Sequence, residues 1–358
     1  MLRAFGSPGL YLQGPGALSR LGEVCGRLGS DAFAVIDPVA ARSIGAEVTV
    51  ALPGVSLSRF GGECSAAEID RQTRAAARVG AGVILGIGGG KAIDVAKGVQ
   101  IATGRPLVVV PTIASTDAPT SRLCVVYTPE HAPEEVRMMA TNPAVVLVDT
   151  AVLARAPARF FAAGVGDALS KKFEAGQCAA AGGLNFFGHA PPALALQLAE
   201  ACHATLLAEA QPALAAVRRQ TPDASFERVI EATVLLSGLA FESGGLSVPH
   251  ALIRGLAAVP ELSGALHGEQ VAYGLVVHLI LAGEAAHLDR LAPLYTALEL
   301  PRSLADMGLS GDAAAAIPQI AATSLARAPY SRNFASEITQ ARLEAALTEA
   351  EARFGRAR

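Results

Sequence analysis

The chain has 358 residues, 51% of them hydrophobic and 17% charged, which permits a sizeable buried core and excludes a disordered polyelectrolyte. A formal net charge of −3 supplies no basic field for nucleic acid or an anionic membrane. Five scattered cysteines, odd in number and without a C-x-x-C pair, argue against a zinc–thiolate site or a disulfide framework and suit a reducing compartment.

In chain order, Met1–Phe5 lacks the apolar stretch of a signal peptide, and no run reaches the roughly 18 residues of a membrane span. A cytoplasmic protein with no membrane and no nucleic-acid partner is the expectation. Phe33-Ala34-Val35-Ile36 reads as a strand ending at Asp37-Pro38. A helical stretch follows, then a second β-like run, Val48 to Leu52. Ser65-Ala66-Ala67-Glu68 has the spacing of a capping box and predicts a helix from about Ala66. Val83 to Leu85 reads as a strand, Lys91 to Ala102 as a helix, and Leu107 to Val110 and Val145 to Val148 as further strands. Leu123 to Tyr127 and Val136 to Ala140 form a candidate hairpin, with Thr128 to Glu135 as its turn. Continuous apolar strands alternating with helices imply a parallel sheet covered on both faces.

Beyond about residue 155 the pattern turns helical: Ala193 to Ala210, Ala213 to Arg219 with Pro212 between them as a break, Phe226 to Leu239, Gln270 to Ala285 and Gln340 to Phe354. The expected architecture is an α/β dinucleotide-binding domain over residues 1–156 and an all-α domain over 157–358. The boundary lies near Pro157, with a ligand cleft between the domains as the default expectation.

Gly86-Ile87-Gly88-Gly89-Gly90-Lys91-Ala92-Ile93-Asp94 follows a strand and opens a helix. Glycines let backbone N–H groups approach a pyrophosphate, and the helix N-terminus adds partial positive charge. The segment is neither G-x-G-x-x-G nor a P-loop, because no Ser or Thr follows Lys91; a tight turn without ligand is the alternative. Asp37, at a strand end, suits a ribose diol and disfavours a 2′-phosphate, or else caps the helix at Pro38. Asp167, His250 and His267 each stand beside glycine or proline at the edge of a helical run, and one carboxylate with two imidazoles suits Zn²⁺ or Fe²⁺. By composition alone such a set is weak, since hydrogen-bonded structural histidines are commoner. His131, His189, His203, His278 and His287 keep that structural reading.

Several ordered motifs carry a resemblance: Phe60-Gly61-Gly62-Glu63-Cys64-Ser65, Gly86 to Asp94, Val110-Pro111-Thr112-Ile113-Ala114-Ser115-Thr116-Asp117-Ala118-Pro119, Gly164 to Leu169, and His267-Gly268-Glu269-Gln270-Val271-Ala272-Tyr273-Gly274. With these the chain resembles the glycerol dehydrogenase branch of the iron-containing (group III) alcohol dehydrogenases, from about Phe5 to past His267. The resemblance implies NAD-dependent, metal-dependent oxidation of a small polyol, most readily glycerol to dihydroxyacetone. It implies Zn²⁺ or Fe²⁺ on Asp167, His250 and His267, and NAD on Gly88, Gly89, Gly90 and Lys91, with Asp94 closing that segment. It places Asp37 at the adenosine ribose, lines the cofactor site with Thr112, Ser115, Ser121, Leu123 and Tyr127, and sets Asp117 at the substrate. It also implies a homo-oligomer, from dimer to octamer.

The sequence departs from that family in two places. In His250-Ala251-Leu252-Ile253-Arg254-Gly255, Ile253 and Arg254 replace the family's histidine and asparagine, and Lys171 and Lys172 follow Asp167 where uncharged residues are usual. Four positions on, Lys171 would share a helix face with Asp167. The bland reading is drift, with these cations in weak pairs or at a subunit contact. The sharper one is that Arg254 or Lys171 selects an anionic hydroxy acid or phosphorylated polyol. A non-catalytic NAD-binding protein is the alternative of another class, and it would need a broken metal site.

Overall fold

A computed structural model of the chain describes residues 2–128, 133–327 and 329–355. The chain divides into two compact units. One comprises residues 6–157 together with 216–238; the other comprises residues up to Phe5, 158–215 and 239 onward. The division is therefore not a single cut near Pro157, because residues 216–238 group with the sheet.

The first unit is built on strands β1 (Leu10–Gly14), β2 (Ala32–Ile36), β3 (Ser56–Arg59), β4 (Val83–Gly88), β5 (Leu107–Pro111), β6 (Leu123–Tyr127), β7 (Pro133–Met138) and β8 (Val145–Asp149). Six of these form one sheet in the order β1-β8-β5-β4-β2-β3, every pair parallel. β2, β4, β5 and β8 are buried at every residue, as strands covered on both faces must be. Leu21, Ile44 and Val48 pack on Ala34, Leu85, Val108 and Leu147 in one core layer. From β2 the chain steps outward to β3, then returns to the other side of β2 for β4 and continues to β5. The strand order thus reverses between β2 and β4, and ligands of open α/β sheets bind at the carboxyl ends of strands at such a reversal. Asp37 follows β2 there, and the glycine loop ends β4.

Several expectations change. Val48 to Leu52 is not a strand: the helix Pro38–Ala51 runs through it. Ile44 and Val48, four apart, bury one helical face, and Thr49 Oγ1 donates to the Gly45 carbonyl at 2.9 Å. Burial at helical spacing overrides the β preference of Val-Thr-Val. The strand comes later, as β3, with alternating burial. β1 has no counterpart in the sequence reading; Leu10-Tyr11-Leu12-Gln13-Gly14 is at most half-buried and lacks the long apolar run of the central strands. The hairpin forms, but β7 begins at Pro133 rather than Val136, and part of its turn and His131 lie outside the described residues. Pro212 sits inside one continuous helix, Ala193–Arg219, with Ala210 and Ala213 fully buried around it. Ser65 caps its helix as expected, accepting from Glu68 N–H at 3.2 Å. The Glu68 carboxylate instead accepts from Gly61 N–H at 2.9 Å.

The second unit is helical. No single helix among the described residues is long and apolar enough to cross a membrane.

Candidate functional site

In the helical unit three helices converge. Asp167 lies near the end of Ala158–Leu169, His250 in the first turn of Val248–Leu256, and His267 at the start of His267–Ala282. Glycines let them approach. A Cβ on Gly166 would stand 2.9 Å from the Gly268 carbonyl oxygen, and one on Gly268 would collide with the Ala163 carbonyl. A Cβ on Gly274 would reach Pro249 Cα at 2.8 Å. The small residues beside the ligands thus set helix spacing. Arg159 adds a clamp, donating to Glu269 at 2.6 and 2.7 Å, while Glu269 accepts from Leu266 N–H at 2.7 Å.

One ligand atom from each of Asp167, His250 and His267 lies within 4.8 Å of the others. His250 Nε2 is 3.4 Å from Asp167 Oδ1, and His267 Nε2 is 3.8 Å from Asp167 Oδ2. Asp167 Oδ2 is buried and has no hydrogen-bond partner among the described residues. An ionised carboxylate oxygen left bare in the interior is costly unless a cation meets it. Donor set, spacing and orphaned oxygen therefore fit a divalent metal.

Glu174, which the sequence reading missed, completes the arrangement. Its carboxylate takes the His250 Nδ1 at 2.8 Å and accepts from Ser247 N–H at 2.9 Å, His250 N–H at 3.3 Å and Ser170 Oγ at 2.8 Å. It holds the ring with Nε2 turned away from itself, as a carboxylate behind a ligating histidine does, and it satisfies donors at a helix N-terminus. Burial alone would raise its pKa, but His250, Lys171 and the Ser247 N–H hold it at about 2. It lies seven residues after Asp167, in the next helix, Lys171–Ala180, and no local signal in the sequence marks it as buried.

In the sheet unit, Gly88 has φ +152°, and a Cβ there would stand 2.7 Å from Asp37 Cβ. A Cβ on Gly89 would press on Ile113 at 2.9 Å. The helix Gly90–Thr103 starts at Gly89 with no side-chain cap, leaving its first-turn N–H groups without a side-chain acceptor. A bare helix start at the strand-order reversal fits a pyrophosphate. Asp37 Oδ1 caps the helix after β2, accepting from Val39 and Ala40 N–H at 2.7 and 3.4 Å. Lys91 is tied to Glu63 Oε2 at 2.6 Å and lies 4.9 Å above the Tyr127 ring centre.

Thr112 N–H donates to the Gly88 carbonyl at 3.0 Å, joining the end of β5 to the loop; Thr112, Ser115 and Tyr127 are half-buried. Asp94 is buried, with Val125 N–H at 3.1 Å and the Lys97 ammonium at 3.1 Å, so it braces the loop from beneath. Lys97, fully buried and unremarked in the sequence, also donates to the Ala118 carbonyl, to Ser121 Oγ and to the Leu123 carbonyl. Ser121 and Leu123 are correspondingly buried. Asp117 is buried with Ser237 Oγ donating to its Oδ2 at 3.2 Å. Ser237 follows a π-helical turn, Glu231–Leu236, that also offers the Val234 carbonyl to Thr120 Oγ1 at 3.3 Å.

A family model for iron-containing alcohol dehydrogenases matches residues 8–150. The chain is 39% identical to a glycerol dehydrogenase from Pseudomonas putida over 356 residues, covering 98% of each. It is 41% identical to one from Thermotoga maritima over 85% of this chain and 84% of that protein. The chain belongs to the iron-containing alcohol dehydrogenase family. The crystal structure of a probable glycerol dehydrogenase from Sinorhizobium meliloti superposes with a TM-score of 0.93 at 36% identity, covering 98% of this chain and 99% of that one. The expected resemblance therefore holds across the chain, and the protein is an oxidoreductase.

Within this iron-containing alcohol dehydrogenase, Lys171 is the departure that reaches the cluster. Its side chain is fully buried, with Nζ 2.6 Å from Asp167 Oδ1 and 3.3 Å from His250 Nε2. It also lies 5.7 Å from the Phe241 ring centre. Lys171 thus pairs with a buried acid inside the cluster, whereas Lys172 pairs with Glu200 at 3.0 Å at the surface. Burial would push the Asp167 carboxyl upward, but Lys171, His250 and His267 hold it well below the usual carboxylate range. Burial opposes charge on His250, yet Glu174 and Asp167 raise its pKa against both burial and Lys171. Arg254 is half-buried and near enough to Tyr330 to work against the upward push of burial on that phenol. Nothing in the structure explains the replacement at Ile253.

Proposed function

We propose that this chain oxidises a small neutral polyol, glycerol to dihydroxyacetone, with NAD⁺ as hydride acceptor and Zn²⁺ or Fe²⁺ held by Asp167, His250 and His267. The observation that carries this reading is the three-donor cluster with its orphaned Asp167 oxygen, in a chain that matches glycerol dehydrogenases along almost its whole length. The family is NAD-dependent and metal-binding. When bound, the metal supplies Lewis acidity toward a substrate hydroxyl, and the nicotinamide takes up the hydride.

The chain's own residues supply position and charge. Glu174 orients His250 and keeps its Nε2 available to the cluster. The bare start of Gly90–Thr103 and the close-packed Gly88 and Gly89 receive the pyrophosphate, with Lys91 at the loop's edge and Asp37 offering its remaining oxygen to the ribose. Thr112, Ser115 and Tyr127 line the cofactor, while Lys97 holds Ser121 and Leu123 in place from behind and Asp94 braces the loop. Asp117, steadied by Ser237, orients a second substrate hydroxyl. We assign the sheet unit to the cofactor and the helical unit to the metal, and carry over from the family a homo-oligomer, between dimer and octamer, acting in the cytoplasm.

A neutral substrate is favoured over an anionic one because the relatives matched along most of the chain are glycerol dehydrogenases. Arg254 and Lys171 are the cations that would serve a hydroxy acid or phosphorylated polyol. The intact cluster argues against a non-catalytic NAD-binding protein.

The test follows NADH formation with glycerol, 1,2-propanediol, 2-hydroxybutyrate and glycerol phosphate, after chelation and after Zn²⁺ or Fe²⁺ is returned. Metal-restored turnover of the neutral diols is expected. Preference for the anions, lost in Arg254→Ala, would replace the polyol reading. Full turnover in the chelated protein would remove the metal from it.

A further inference from the structure

The cluster that fits a divalent metal already contains a cation. The Lys171 ammonium lies 2.6 Å from Asp167 Oδ1 and 3.3 Å from His250 Nε2, so it stands against two of the three donor groups. It is as buried as the carboxylate it neutralises, with side-chain exposures of 0% and 1%. Two buried carboxylates, Asp167 and Glu174, make this pocket attractive to positive charge, and one ammonium reaches it from the first residue of the next helix, Lys171–Ala180, four residues after Asp167. Between these two carboxylates, Asp167 Oδ2 is the oxygen left without a hydrogen-bond partner among the described residues.

We propose that Lys171 is a built-in competitor for the metal, so that this chain takes up its divalent cation only by displacing the Lys171 ammonium from Asp167. This inference rests on the metal reading above. A dication and an ammonium sharing one carboxylate in a buried site repel each other strongly, because little water screens them. Each binding event therefore includes the cost of breaking the buried Lys171–Asp167 pair, and the apparent affinity falls by the fraction of molecules in which Lys171 has moved away. In the paired position Nζ also lies 5.7 Å from the Phe241 ring centre, within range of a cation–π contact. The metal occupancy of this protein becomes a matter of exchange between two cations, one tethered and one free.

The experiment titrates Zn²⁺ into the metal-free full-length chain by calorimetry and reads the melting temperature with and without Zn²⁺, for the wild type and for Lys171→Met, Lys171→Gln and Lys171→Arg. Far-UV circular dichroism, measured in parallel, reports that the helical unit of each variant is folded. The two neutral variants are expected to bind Zn²⁺ roughly tenfold or more tightly than wild type. Without metal they are expected to melt lower, because Asp167 loses its partner. Zn²⁺ should then raise their melting temperature by more than it raises that of the wild type. Lys171→Arg, which keeps the charge, should bind no more tightly than wild type. If Lys171→Met does not fold, Lys171→Gln carries the same reading. Equal affinity in wild type and neutral variants overturns the competition and leaves the metal site standing. Failure of every protein to bind Zn²⁺ or Fe²⁺ overturns both.

Discussion

The two units build their sites from different materials. In the sheet unit the candidate cofactor site is made mostly of backbone: one contiguous stretch, Gly86 to Asp94, supplies a turn, a bare helix start and the glycines that permit close approach. In the helical unit the candidate metal site is made of side chains from residues 167, 174, 250 and 267, brought together by helix packing. A contiguous site survives as long as its local turn does. A dispersed site depends on every contact that spaces the helices, so a change one residue away from a ligand can matter as much as a change in the ligand itself.

That contrast can be broken in descending steps. Asp167→Asn should remove metal binding and lower kcat/KM by roughly three orders of magnitude, several kcal/mol of transition-state stabilisation, while NAD⁺ affinity by fluorescence titration stays at the wild-type value; loss of NAD⁺ binding would show that the two sites are not separable. Glu174→Gln should weaken Zn²⁺ binding about 10- to 100-fold through the lost hold on His250, and unchanged affinity would mean the His250 ring is held by packing alone. Gly88→Ala should act on the other unit only, raising the Kd for NAD⁺ at the cost of about 1–3 kcal/mol of strain at φ +152° and against Asp37, with Zn²⁺ affinity untouched.

The smallest step is in pH. Every described histidine lies in the helical unit. Burial pushes His278 down to about 4, and burial with the Lys172 charge does the same to His203. Both stay neutral in the fold while the unfolded chain protonates near its ordinary value. The unfolded state then holds more protons, and stability falls as pH drops from about 6.5 towards 4, by up to about 3 kcal/mol per histidine. Urea melts of the metal-free chain between those limits should show the slope, and His278→Gln should flatten it. A slope unchanged by that substitution would locate the acid sensitivity elsewhere.

Legibility in the sequence follows the same division. The glycine loop was readable because its strand, turn and helix are consecutive, and β2, β4, β5 and β8 were readable because strands buried on both faces are apolar throughout. Val48 to Leu52 was misread because Val and Thr favour strands until a helical face is buried, and β1 was missed because it is only half-buried at the sheet's edge. Asp167, His250 and His267 came from family resemblance rather than from spacing. Glu174 and Lys97 carry no local signal that separates a buried charge from a surface one.

The sequence by itself determined an α/β unit followed by helices, the phosphate-suited loop and the membership of the family, since these rest on periodicity and on motifs whose residues are neighbours in the chain. Only the tertiary structure decided that residues 216–238 group with the sheet, that Glu174 stands behind His250, and that Lys171 lies against Asp167 and His250 rather than on the surface. Those outcomes turn on which helices touch and how deeply a charge is buried, and both are set by packing between residues far apart in the chain.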